Sequence, residues 1–154
     1  MPQIQVIFYQ DTNGTVPVLI WLDDLFPKIR AKCIVKIERL RDPNKTRWAI
    51  AVIAGVPPVR SHSRERGNPV LLGPFRELGH ELRRPEADYL RDDIYELRIA
   101  YRSVQYRLLY FFYRRNTAVI SHGIVKGQRV PPAEIDLAVQ RKRAFEQNPG
   151  QHTY

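Results

Sequence analysis

The chain has 154 residues, 44% of them hydrophobic, which suits one domain with a core of its own. Twenty-five Lys and Arg against sixteen Asp and Glu leave a formal charge of +9, favouring a polyanionic partner such as nucleic acid over acidic small molecules. A single cysteine, Cys33, excludes an internal disulfide and argues against a thiolate metal site, as a reducing cytoplasm would have it. Met1 to Tyr9 lacks the charged-then-apolar order of a signal peptide, and no stretch is long and apolar enough to span a membrane.

Ile4, Val6 and Phe8 alternate as in a strand, closed by the turn signal Asp11-Thr12-Asn13-Gly14. Val18, Trp21, Leu22 and Leu25 then make one helical stripe that Pro27 ends. Ile29, Cys33, Ile37 and Leu40 repeat the spacing, with Arg30, Lys32, Lys36 and Arg39 outward, so the two segments form a helical hairpin. Asp42-Pro43-Asn44 breaks the second helix, and an apolar run from Trp48 to Val56 leads into Pro57 to Pro69, which is polar and rich in breakers and predicts a loop. Phe75 to Leu82 predicts a helical piece before Pro85. Three strands follow, Ile94 to Tyr101, Gln105 to Tyr113 and Thr117 to Gly123, joined by connections too short for a crossover and hence an antiparallel meander. Pro131-Pro132 opens a last helix with the stripe Ile135, Ala138, Val139 and Phe145. The fold class is α+β: an antiparallel sheet of the N-terminal strand and the C-terminal meander, packed against the helical hairpin and the last helix. One domain spans 1–147, and 148–154 forms a flexible tail.

Between Tyr95 and Val130 lie seven cations, Arg98, Arg102, Arg107, Arg114, Arg115, Lys126 and Arg129, against the single anion Glu96. Tyr95, Tyr101, Tyr106, Tyr110, Phe111, Phe112 and Tyr113 are interleaved with them. Aromatic faces that stack bases beside cations that hold phosphates suit unpaired RNA. The same aromatics also suit strand packing, and the same arginines a solvated sheet face.

The ordered set Tyr95-Glu96-Leu97-Arg98, Tyr106-Arg107-Leu108-Leu109-Tyr110-Phe111 and His122-Gly123-Ile124-Val125-Lys126, followed by Pro132 and a basic amphipathic helix, resembles the RelE/HigB toxins. Phe8-Tyr9, Asn13-Gly14, Pro17-Val18 and Trp21-Leu22 are similar to the opening of its phage-derived HigB-like branch, so the resemblance covers residues 1–41 and about 77–145. It implies a small RelE-like fold and the toxin of a type II toxin–antitoxin system, a cytoplasmic endoribonuclease that cuts messenger RNA on the ribosome. The implied partner is a helix-turn-helix antitoxin, with DNA reached only through that complex and no membrane involved. No cofactor or metal is implied, because the ribose 2′-hydroxyl attacks its own phosphate. That chemistry needs a base, cations on the phosphorane and an acid at the leaving oxygen.

Arg107 matches the family's strand arginine at the scissile phosphate, and Arg98 a position commonly held by Lys or Arg. Neither guanidinium is a proton acceptor at any relevant pH. His122 is the candidate for proton transfer, or else a strand-end histidine bonded to backbone, and Lys126 holds phosphate or donates a proton. Arg84, Arg91, Tyr95, Arg102, Tyr106 and Arg129 are the expected RNA contacts. His62, His80 and His152 fall outside the matched motifs or in the tail. Strict alternation puts Arg107 on the side of Leu109 and Phe111, so a strand mouth or a bulge is expected to bring it to the rim, and a mid-strand Arg107 buried under the helices would argue against a catalytic role.

One departure stands out. Leu40-Arg41 and Arg76-Glu77-Leu78 look like two sides of one interrupted helix, so residues from about Asp42 to Arg76 read as an insertion. Ser61 to Pro69 resembles translated interspersed repeats of bacterial genomes. Such a loop costs little closure entropy, yet its bulk is expected to hinder docking in the ribosomal A site and to weaken toxicity.

Overall fold

A computed structural model describes residues 4–42, 86–127 and 129–154, with Lys126 represented by its backbone. The insertion, the expected helical piece at Phe75 to Leu82 and Arg84 lie outside the described residues. In chain order the elements are β1 (Gln5–Phe8), α1 (Pro17–Asp23), α2 (Pro27–Arg41), β2 (Ala87–Arg91), β3 (Ile94–Tyr101), β4 (Val104–Tyr113), β5 (Thr117–Lys126) and α3 (Pro132–Gln147). Each helix opens on a proline in its first turn, where the missing N–H breaks no helical bond and the fixed φ suits the helix.

The strands form one sheet in the order β1-β5-β4-β3-β2. β2 to β5 are antiparallel neighbours, while β1 runs parallel to β5, with Val6 opposite Ala118 and Phe8 opposite Ile120. The α+β class is therefore as expected, and the sheet is mixed. β2 is an addition. Its turn into β3 is only Asp92-Asp93, both left-handed (φ 52° and 61°), the geometry that lets a two-residue hairpin follow the natural strand twist.

The sheet carries helices on both faces. On one, α1 and α2 bury Val18, Leu22, Ile29, Cys33, Ile37 and Leu40 against Tyr95, Leu97, Ile99, Leu108, Tyr110 and Ile120. All four positions of the α2 stripe are buried. On the other, α3 lays Ile135, Ala138 and Phe145 over Ile94, Leu109, Phe111 and Val119. Truncating such a fully buried leucine or isoleucine costs about 2–5 kcal/mol.

The tail expected to be loose runs along β1 instead. Phe8 and Tyr154 exchange two backbone hydrogen bonds, the Gln10 N–H donates to the His152 carbonyl, and Tyr9 bridges Thr153. His152 is buried, with its ring stacked on Tyr9 at 5.1 Å and its Nδ1 2.7 Å from the Gln10 carbonyl.

Candidate functional site

The β3–β4 ladder pairs Arg98 directly with Arg107, so the two arginines share the face of the sheet on which α3 packs. That face has two halves. α3 covers Ile94, Leu109 and Phe111, while Glu96, Arg98 and Arg107 lie toward the Arg102-Ser103 turn.

β5 reaches the same face through a bulge. Leu109 pairs with His122 but the next residue, Tyr110, pairs with Ile120, leaving Ser121 as the extra residue. Ile120 faces the α1/α2 core and Ile124 the α3 core, although both numbers are even. The bulge thus inverts the alternation and brings His122 round to the arginine face. His122 lies diagonally from Arg107, whose own partner is Ile124; such neighbours are roughly 7–8 Å apart. Lys126 ends β5 opposite Gln105. The expectation that a strand mouth or a bulge would bring Arg107 to the rim fails: the bulge lies on β5 and re-aims the histidine instead. Arg107 is not at the rim: it is the fourth residue of β4 and 6% exposed.

Gly123, next to His122, is fixed by packing. A Cβ there would lie 2.2 Å from the Trp21 ring, so only glycine lets α1 close on β5.

Carboxylates match the site's cations. Glu96, its side chain 2% exposed, sits between two arginines, with Oε1 2.8 Å from Arg98 Nε and Oε2 3.1 Å from Arg107 Nε. Asp88 on β2 takes Arg98 Nη2 at 2.9 Å. Arg107 Nη1 donates to the Tyr106 carbonyl at 3.0 Å and to Gln105 Oε1 at 3.3 Å. Burial lowers the Arg107 pKa and the neighbouring Arg98 adds to this, against the pull of Glu96. A guanidinium so placed remains a cation.

His122 is held at both nitrogens, Nδ1 2.8 Å from Ser121 Oγ and Nε2 2.8 Å from Glu134 Oε2 on α3. A carboxylate only accepts, so in the neutral ring Nε2 carries the hydrogen and Ser121 donates to Nδ1. Burial first, then the charge of Arg141, lowers the His122 pKa, opposed by Glu134. The imidazole is therefore neutral at pH 7. Ser121 can also accept, so the ring keeps one partner in either tautomer.

The other expected contacts are scattered. Tyr95 is a core residue, its ring packed against Tyr89, Tyr110 and Phe112. Tyr106 is also buried, edge-on to Trp21. Both rings belong to the α1/α2 core and present no stacking face to solvent, a correction to their expected role. Arg91 is taken by Asp92 at 2.6 Å and Asp136 at 2.5 Å. Arg102 is exposed in the β3–β4 turn with a left-handed φ of 55°, and Arg129 is exposed between β5 and α3. Sequence reasoning missed Asp88, Ser121, Glu134 and Arg141, three of which lie outside the stretch in which charge was counted. Among the described residues no group of three or more His, Cys, Asp or Glu converges as metal ligands would, and no helix is long and apolar enough to cross a membrane.

Residues 70–143, just under half of the chain, match the family described as "Phage derived protein Gp49-like (DUF891)". That family is associated with the toxins of toxin–antitoxin pairs. The matched segment includes β2 to β5 and most of α3, and with them Arg98, Arg107 and His122. No curated protein matches the chain.

Proposed function

We propose, from the likeness of residues 70–143 to Gp49-like proteins, that the chain is the toxin of a bacterial type II toxin–antitoxin pair and cuts messenger RNA on the ribosome. The observation that carries this reading is the juxtaposition of Arg98, Arg107 and His122 on one face of three adjacent strands. In this reading Arg98, the more exposed of the two, meets the phosphate first, and both guanidiniums stabilise the dianionic phosphorane.

His122 supplies the base. When the RNA displaces Glu134, whose side chain is 36% exposed, Nε2 becomes the free nitrogen. The ring proton then resides on Nδ1 and is accepted by Ser121 Oγ. Nε2 takes the 2′-hydroxyl proton, the oxygen attacks the adjacent phosphorus, and the P–O5′ bond breaks to leave a cyclic phosphate. Lys126 supplies the proton for the leaving 5′-oxygen. The cognate partner is a helix-turn-helix antitoxin that neutralises the toxin.

Primer extension on translated messenger RNA after induction, with wild type and with Arg98→Ala, Arg107→Ala, His122→Gln and Lys126→Ala, tests this. New 5′ ends with the wild type, lost in the variants, are expected; no wild-type cleavage in translating cells refutes it.

One observation favours a second reading, a relative that binds RNA or antitoxin without cutting. Arg98, Arg107 and His122 each already hold a carboxylate, and Arg107 and His122 are nearly buried. If the segment at 42–76 is what disables the enzyme, its deletion restores growth arrest; if not, wild type and deletion are equally harmless.

A further inference from the structure

Over the opposite face of the sheet lie cations that no carboxylate matches among the described residues, beside Lys36 and Arg39, which share Glu86. Phe26, at the corner between α1 and α2, is 78% exposed. With Pro27, Lys28, Tyr101 and Arg102 it lines an open cleft of about 420 Å³, within the roughly 300–1,000 Å³ usual for sites that hold a small ligand. Lys32 places its ammonium 5.7 Å from the Tyr101 ring centre, and Arg102 its guanidinium 5.5 Å from the same ring. Lys28, Lys32 and Arg102 have no carboxylate partner among the described residues, as is true also of Arg114, Arg115, Arg129 and Arg143, but these three meet beside exposed aromatic surface. Arg102 moreover holds φ at 55°, a conformation in which glycine is the unstrained choice.

We propose that this cleft is a second RNA contact, in which an unpaired base stacks on Phe26 and the flanking phosphates are held by Lys28, Lys32 and Arg102. The choice of RNA as target rests on the reading above, and the cleft lies apart from the Arg98/Arg107 face. Tyr101 continues the row Leu97 and Ile99 toward α2, so it faces away from Arg98. The two sites are three residues apart along β3, about 10 Å, and a strand leaving Arg98 reaches the cleft by rounding the Arg102-Ser103 turn. The apolar lining is aromatic and the free charges are all positive, which is what a sequence-tolerant single-strand site needs.

Fluorescence anisotropy with the full chain and a short labelled oligouridylate, across a salt series, tests the proposal. Phe26→Ala is expected to weaken binding roughly tenfold and Phe26→Trp to preserve it. The triple reversal Lys28→Glu, Lys32→Glu, Arg102→Glu is expected to weaken binding further and to flatten the slope of log affinity against log salt by about 2, at about 0.7 per lost phosphate contact. Arg102→Gly relieves the backbone strain, so it keeps the melting temperature while losing affinity, which separates binding from folding. Phe26→Ala and triple-reversal affinities within about twofold of the wild type overturn the inference, as does a wild type that does not bind the oligonucleotide. If the cleft variants keep their RNA affinity but lose binding to a labelled peptide of alternating Glu and Phe, the cleft is a peptide groove and the inference is likewise overturned. Cleft-dependent RNA binding without messenger cleavage in cells supports the inference and refutes the nuclease reading. Cleavage with no cleft dependence does the reverse.

Discussion

Replacing Glu96 by Gln removes the one carboxylate that Arg107 touches among the described residues while keeping its size. Arg98 loses a 2.8 Å partner but is 30% exposed by side chain and retains Asp88, so its share is that of a screened surface pair, about 0–1 kcal/mol. Arg107 is 7% exposed by side chain and, among the described residues, is left with only the Gln105 and Tyr106 oxygens. An uncompensated buried charge costs about 3–5 kcal/mol, toward the lower end here because the Gln105 and Tyr106 oxygens still accept from Arg107. The net loss is about 3 kcal/mol. For a chain of this length each kcal/mol lowers the melting temperature by about 2–4 °C, so a fall of about 6–12 °C is expected by circular dichroism or calorimetry. Arg107→Leu combined with Glu96→Gln should lose less than the sum of the single changes, because no charge is then stranded at Arg107. A Glu96→Gln protein that melts within about 2 °C of the wild type would refute the argument that Glu96 is what makes a buried Arg107 tolerable.

Gly123→Ala drives a methyl group into the Trp21 ring and should cost about 1–3 kcal/mol in denaturant unfolding, partly restored by Trp21→Leu; an unchanged midpoint would count against the close approach. The lowered His122 pKa means that the unfolded chain binds a proton near pH 6.5 that the folded chain refuses. Its contribution to stability is thus complete above about pH 6.5 and lost as the pH falls below it. The gap in melting temperature between wild type and His122→Gln should therefore shift against the wild type from pH 7 to pH 5, and a gap independent of pH would contradict this. Cys33 is fully buried, its thiol pushed up to about 11 by desolvation, so at pH 8 a thiol reagent should label it only at the rate of unfolding; immediate labelling of native protein would show the α2 core to be open.

The periodicity of α2, the three meander strands and β1 were legible because each depends on its own residues. β2 was not, since Ala87–Arg91 has one alternating pair of large apolar residues at most and stands after a proline, although Asp92-Asp93 is a two-residue hairpin signal. For the site, alternation within β4 correctly placed Arg107 with Leu109 and Phe111. What failed was the assumption that a face is buried uniformly: α3 covers the Leu109 end as core and leaves the other end to charge. The phase of one strand against another is set by turns and bulges, so neither the Arg98–Arg107 pairing nor the turning of His122 could be read from single strands. Counting charge along a contiguous stretch likewise hid Asp88 and Glu134, which come from β2 and α3, and so overstated how positive the site is.

The extra residue at Ser121 makes the site's assembly a matter of counting. Chain length in this strand sets what His122 touches: deleting Ser121 would return β5 to plain alternation with His122 still opposite Leu109 on the arginine face, but would take away the hydroxyl that meets its Nδ1, leaving Glu134 as the group that holds the ring.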